Sequence, residues 1–414
     1  MQRSLTLLTT GLITIELFCP PAAHAQAWVG WDHLDVEVVE SGPLADSPET
    51  WTLDGPTLTI GTIDGAEPFI FTHVWDADRT ADGRVIVVDG SAYYIRVFGA
   101  SGEHVVTFGG RGAGPEEFGG SPFIALDDDL LVVWDPGHHR LSNYSLGGEL
   151  LAQETLRDHV FAQGITPFPN GTVWETSASG LLWTGADGRI RPREGLSSQF
   201  RRFIWLDADA SNDFGTFRSG QLYSMSHPQG GLRGFASPFA PSSVAALSDD
   251  GRVAVSEGDD ARILIYDPAK RPVRLIIAQI PRLPTTRPIV RTHRDRLLGM
   301  SSGLGVPRRQ LEEAFDELPV PDSIPAIADL LWSEEGDLWV GRRAGDIWAV
   351  DEYHVFGTDG EWLARVPLPS RVDKVFHVGA GVVLARHRDD FGVQYLDLYS
   401  IDRDPRPPPS TSPR

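Results

Sequence analysis

The feature that most constrains this chain is a recurrence of short apolar runs between glycine turns. "RVIVVD" (Arg84 to Asp89), "YYIRVFG" (Tyr93 to Gly99) and "EHVVTFG" (Glu103 to Gly109) follow one another closely. The first is apolar throughout, as a strand buried on both faces is; the second alternates with period two. The turn "GASG" (Gly99 to Gly102) joins the second and third as a hairpin. Upstream, "FIFTHVWDADRTADG" (Phe69 to Gly83) supplies a further strand before a DG turn. The unit is therefore a four-stranded antiparallel meander. It returns at Asp128 to Leu156, Asp249 to Ile280 and Glu334 to Leu368, and more faintly from Pro169 and from Gly379. Aligned on the starts of the second strands (Gly83, Asp129, Gly171, Gly251, Gly336, Gly381), the spacings are 46, 42, 80, 85 and 45 residues. Four short strands per period of this length predict a β-propeller, in which sheets too small to stand alone stack radially.

Within the units, side chains recur at fixed offsets. Asp135, Arg140, Leu141 and Tyr144 place an acid after the second strand, then a basic residue, an aliphatic and an aromatic; Glu257, Arg262, Ile263 and Tyr266 repeat the spacing. Asp89, Ile95 and Phe98 also fit, with Tyr94 at the basic position. "GGRGAGPEEF" (Gly109 to Phe118) reads as a tight crossing between units: Pro115 stands where a phosphate-binding fingerprint needs its third glycine, and no helix follows. On these residues the chain resembles the NHL-type six-bladed β-propellers, over roughly residues 50–401. The resemblance implies an all-β, six-bladed propeller of four-stranded blades. It also implies a ligand face made by the loops between second and third strands.

Ring closure accounts for the N-terminal segment. The last unit (Lys374 to Ile401) holds three strands, and "WTLDGPTLTIG" (Trp51 to Gly61) supplies its outermost fourth. The 80-residue gap is an enlarged unit or conceals a seventh. In the 85-residue gap, residues 286–319 are not β-patterned; "PRRQLEEAFDEL" opens on proline and carries Leu311, Phe315 and Leu318 at helical spacing. A helical insert is predicted there, packed on a blade or leaning over the channel mouth.

The ends read differently. Arg3, the apolar run Leu5 to Phe18 and Ala23-His24-Ala25 form a secretory signal over residues 1–25. An N-terminal extension (26–47), the propeller (48–403) and a loose proline-rich tail (404–414) follow. No apolar run is long enough for a membrane span. The sole cysteine, Cys19, lies in the signal, so disulfide and thiol chemistry are excluded after cleavage. A net charge of −21 argues against nucleic-acid partners.

Few residues carry recognisable chemistry. "GMSSG" (Gly299 to Gly303) matches the nucleophile-elbow pattern but follows a charged helical stretch rather than a strand. His73, His159 and His377 fall on or near innermost strands, at different depths for shared zinc ligation. Acidic runs such as Asp76 to Asp82, Asp127 to Asp129 and Asp207 to Asp213 lack the ligand order of a calcium loop. Candidate ligand contacts on the loop face are Tyr93, His138 and His139, with Arg291 and Arg294 from the arginine-rich insert. The sequence thus predicts an exported, monomeric binding or scaffold protein for a protein, peptide, glycan or small ligand, without a cofactor. The alternative is a lactonase- or lyase-type enzyme with calcium or zinc in the central channel.

Overall fold

The computed structural model describes residues 31–42, 49–127, 129–155, 162–168, 171–179, 182–184, 190–192, 195–206, 211–227, 232–343 and 349–403. The signal segment, the C-terminal tail and His159 lie outside them.

Among the described residues six sheets of four or five strands follow one another in chain order, beside a two-stranded sheet of Leu182–Thr184 and Ile190–Pro192, and the chain is a β-propeller. Blade 1 is Val74–Arg79, Val85–Asp89, Tyr94–Phe98 and His104–Gly109; blade 2 is Phe123–Asp127, Leu130–Asp135, Arg140–Ser145 and Leu150–Thr155. Blade 3 runs from Ala162–Phe168 to Leu232–Ala236 as one five-stranded sheet. The 80-residue gap is therefore one enlarged blade, with its length in the strands Gly195–Leu206 and Ser211–Ser226. Blade 4 comprises Val244–Leu247, Val253–Ser256, Arg262–Tyr266 and Pro272–Ile277; blade 5 comprises Ile327–Trp332, Leu338–Arg343, Val350–Phe356 and Trp362–Pro367.

Blade 6 closes the ring. Its own strands are Val372–Gly379, Val382–Arg388 and Gln394–Asp402, and Thr52–Ile60 pairs antiparallel with the last, Thr59 opposite Asp397 and Ile60 opposite Leu396. Thr59 Oγ1 donates to Asp397 Oδ1 at 2.6 Å. Across the seam, Ile60, Leu384 and Leu396 pack with Val74, Val85, Val87 and Phe98 of blade 1. Gln394 Oε1 accepts from Val74 N at 2.8 Å, and Arg386 Nη1 donates to Val74 O at 2.6 Å.

The extension before the closing strand is not simply a connector. Glu37–Glu40 adds a parallel fifth strand on the outer edge of blade 4, with Glu37 Oε2 2.6 Å from Arg274 Nη2. That pairing covers an edge that would otherwise offer free backbone groups.

In blades 1 and 2 the acid at the end of the second strand anchors the neighbouring backbone. Asp89, fully buried, accepts from Thr72 N at 2.9 Å and His73 N at 3.1 Å, tying the approach to the first strand. Its cation is Arg96, 3.0 Å away and 2% exposed, rather than a residue at the Tyr94 position. Asp135 accepts from Gly119 N, Gly120 N, Gly137 N and His138 Nδ1. Arg140 in turn holds the glycine-rich crossing, donating to Gly114 O at 2.8 Å and to Glu117 O. At Gly109 (φ +89°) a Cβ would stand 2.5 Å from the Phe118 ring, so only glycine lets the crossing turn there. In blades 5 and 6 the polarity reverses: Arg342 pairs with Glu352 at 3.4 Å and His387 with Asp397 at 2.6 Å. This reversal weakened the repeat signal in those blades.

The insert forms helices Arg287–Gly299, Ser301–Leu304 and Arg308–Asp316. Pro284 bridges Ser323, so the chain leaves and returns at one place. Leu297, Leu298, Leu311, Phe315 and Leu318 pack on Tyr223, Met225 and Phe235 of blade 3. The helices cover the apolar side of blade 3's long strands. Gly299 to Gly303 falls at a helix–helix junction, not on a strand-to-helix turn.

Candidate functional site in the central channel

A cavity of about 1630 Å³ occupies the centre, walled by the innermost strands and adjoining turns of blades 1, 2, 4, 5 and 6. Antiparallel connectivity gives the ring two faces. The turns from first to second strands form one, and the loops from second to third strands form the other.

Toward the loop face the cavity is aromatic and cationic. His73, Trp75 and Phe123 stand in an edge-to-face series with ring centroids 5.6 Å apart at each step. Lys374 Nζ lies 5.3 Å from the Phe376 ring centroid, and Arg386 is held by Asp373 Oδ1 at 2.7 Å. Burial, then Arg386 and Arg388, lowers the His73 pKa. Tyr353 donates to Asp329 Oδ2 at 2.8 Å; burial pushes the Asp329 carboxyl up against the opposing pull of Lys374.

At mid-depth Asp76 bridges two blades, its Oδ2 accepting from Ile124 N at 3.1 Å. Burial pushes its carboxyl up to about 6 from an ordinary 3.8, against the Ile124 hydrogen bond and Lys374. Between those pH values the folded chain keeps a proton that the unfolded chain has lost. Stability contributed here is therefore present at low pH and falls as pH rises through about 6. Asp76→Asn removes the charge and keeps an acceptor for Ile124 N but not for Ala77 N as well, so its Tm relative to wild type is expected to be higher at pH 7.5 than at pH 4. Equal shifts at both pH values in thermal unfolding would count against this.

Toward the turn face the wall is acidic. Asp78 Oδ1 is 2.9 Å from His377 Nδ1, and Glu334 Oε1 is 3.5 Å from His377 Nε2. Glu334 is set by its own N–H, which donates to Val378 O at 2.9 Å. Asp249 of blade 4 completes the group; its carboxyl is raised by partial burial and by the Asp78 charge. Neighbouring arginines on this face are engaged elsewhere. Arg84 lies between Asp82 (2.9 Å) and Asp129 (3.0 Å), and Arg252 lies on Asp250 (2.9 Å) and over the Trp332 ring (4.4 Å). Among the described residues no three His, Cys, Asp or Glu side chains converge as a metal-holding group. Asp78 and Glu334 approach opposite nitrogens of one imidazole rather than a common point.

The loop-face residues singled out by sequence do not line this cavity. Tyr93 (φ +60°) and His139 (φ +53°) occupy equivalent left-handed positions just before the third strands of blades 1 and 2. The Tyr93 ring carries Arg111 at 5.6 Å, and His139 packs near Trp134 at 6.3 Å. His138 serves Asp135, with Nδ1 to Oδ2 at 2.7 Å. Arg294 pairs with Asp316 inside the insert at 3.8 Å, and Arg291 is exposed on the same helix. His73 and His377 sit toward opposite ends of the channel, as their sequence offsets imply. The convergence of this group was missed because its members come from four blades, Asp78 and His377 near the ends of strands and Asp249 and Glu334 in turns.

No known family matches the chain, and no curated protein matches it. Among solved structures it is similar to a member of the duf4221 family from Bacteroides vulgatus (10% identity, 86% of this chain and 99% of that one, TM-score 0.48). It is also similar to regucalcin, a calcium-binding protein from Agrobacterium tumefaciens (11%, 81% and 92%, TM-score 0.38). A third is virginiamycin B lyase from Staphylococcus aureus (10%, 84% and 99%, TM-score 0.40). The propeller assignment rests on the chain's own sheets and seam, and no ligand or activity passes from these likenesses. No helix among the described residues is long and apolar enough to cross a membrane.

Proposed function

We propose that this chain is an exported binding protein that takes a small ligand into its central channel. The observation that carries the reading is the cavity itself. At about 1630 Å³ it exceeds a typical small-molecule pocket, and aromatic rings and charged groups from several blades converge on it. Export is inferred from the signal-like residues 1–25, and the strongly acidic composition argues against nucleic-acid partners. Leu126 and Leu247 line the cavity, so Leu126→Trp with Leu247→Trp narrows it. Compounds that raise the Tm of the wild-type protein are expected to lose that effect in the narrowed variant. Equal effects on both proteins would place binding elsewhere and remove the reading.

One observation favours a second reading, an enzyme of the lactonase or lyase type. Asp78 holds His377 by Nδ1 and leaves Nε2 without a hydrogen bond in the cavity wall, as a general base approached by substrate would need. The calcium or zinc of that reading lacks a convergent ligand set among the described residues, so no step is derived through a metal. Lactone turnover abolished by His377→Gln would support it; turnover unchanged by that substitution would dismiss it.

A further inference from the structure

Two acceptors face each other at the turn-face end of the channel. His377 is 9% exposed; Asp78 takes its Nδ1, and its Nε2 is buried without a hydrogen bond. In the tautomer that Asp78 selects, Nδ1 carries the proton and Nε2 presents a lone pair. Glu334 Oε1 stands 3.5 Å from that lone pair. A carboxylate opposite a lone pair is unfavourable unless a donor bonds to both. Asp249 and Asp78 add negative charge at the same place, and the Asp78 charge disfavours ionisation of Asp249. Nearby cations do not supply the donor: Arg84 and Arg252 are bound to Asp82, Asp129 and Asp250, and the Arg79 guanidinium lies against the Gly83 turn.

We infer that this corner of the channel binds an organic ammonium group, whose N–H donors bridge His377 Nε2 and Glu334 Oε1 beside Asp78 and Asp249. An ammonium suits it better than a metal ion. It brings several directional donors on one small cation, whereas a metal needs ligand atoms converging on one point, and these do not. The ligand class is thus an aliphatic amine or polyamine, its carbon chain running up the channel toward Trp75, Phe123 and Phe376. The inference rests on the channel-binding reading above and narrows it to one chemistry.

The test is calorimetric titration of the full chain with spermidine at low salt. One-to-one saturable binding is expected, weakened about tenfold by Glu334→Gln because a charge-assisted hydrogen bond is lost. Glu313→Gln, on the insert, should bind as wild type does. His377→Phe should weaken binding comparably; should that variant fail to fold, Glu334→Gln decides alone. No saturable heat, binding indifferent to Glu334→Gln, or displacement of spermidine by equimolar calcium would each overturn the proposal. If spermidine fails while other compounds still lose their effect in the narrowed variant, only the ammonium assignment falls.

Discussion

A chain lacking residues 1–60 is expected to lose its cooperative unfolding transition and to aggregate. Those residues supply the outer strand of blade 6: Thr52, Leu53 and Asp54 pair with Asp402, Ile401 and Ser400, and, past an irregularity, Leu58, Thr59 and Ile60 pair with Leu398, Asp397 and Leu396. Ile60 is 2% exposed in the core shared with blade 1, and Trp51 is 4% exposed in the core shared with blade 5. Each buried side chain of this size contributes about 1.5–3 kcal/mol. The larger loss is topological: without the seam, blade 6 presents an unpaired edge along the whole Gln394–Asp402 strand. A synthetic peptide covering residues 49–62, added in trans, should restore a sharp transition. Thermal unfolding of the truncated chain with the wild-type Tm would contradict the closure described here.

Asp89→Ala should be the most damaging of the single substitutions considered, by about 3–5 kcal/mol. The carboxylate is fully buried and serves two backbone N–H groups and Arg96. Its removal leaves a guanidinium that is 2% exposed without its buried counter-charge; Arg96 keeps a long bond to Ile70 O (3.3 Å) and one to Glu67 (2.8 Å), which lies at the surface. Asp129→Ala is the matched comparison. That carboxylate also binds an arginine at 3.0 Å, but it is 89% exposed, and exposed pairs contribute little. Chemical denaturation of both variants should show a large shift in midpoint for the first and almost none for the second. Similar shifts would mean that the end-of-strand acids are not structural anchors.

Much of this architecture was legible in the residues. Glycine turns and apolar runs have a period set by local geometry, so four strands per unit could be read from Gly83 to Gly109 alone. The offset from Asp135 to Arg140 is likewise local, because both residues pair directly across adjacent strands. Where the partner moved, as Arg96 does in blade 1, or the signs exchanged, as for Arg342 and Glu352, the motif faded although the interaction remained. The helical face of the insert was legible from Leu311, Phe315 and Leu318, but not the blade it would cover. Periodicity reports that a face is buried and says nothing of its partner.

The channel chemistry was not legible, for a related reason. Asp78, Asp249, Glu334 and His377 are separated by up to 299 positions, from 78 to 377, and each stands in a turn or strand end whose acidity is unremarkable locally. By themselves the residues determine the strands, their antiparallel order, the closing segment and the helical insert, all consequences of contacts between near neighbours or of complementary ends. Only the closed ring determines which side chains share the axis, because the closure brings turns far apart in the chain within hydrogen-bond reach. It also determines that Tyr93 and His139 serve their loops, and that Glu37–Glu40 covers an edge.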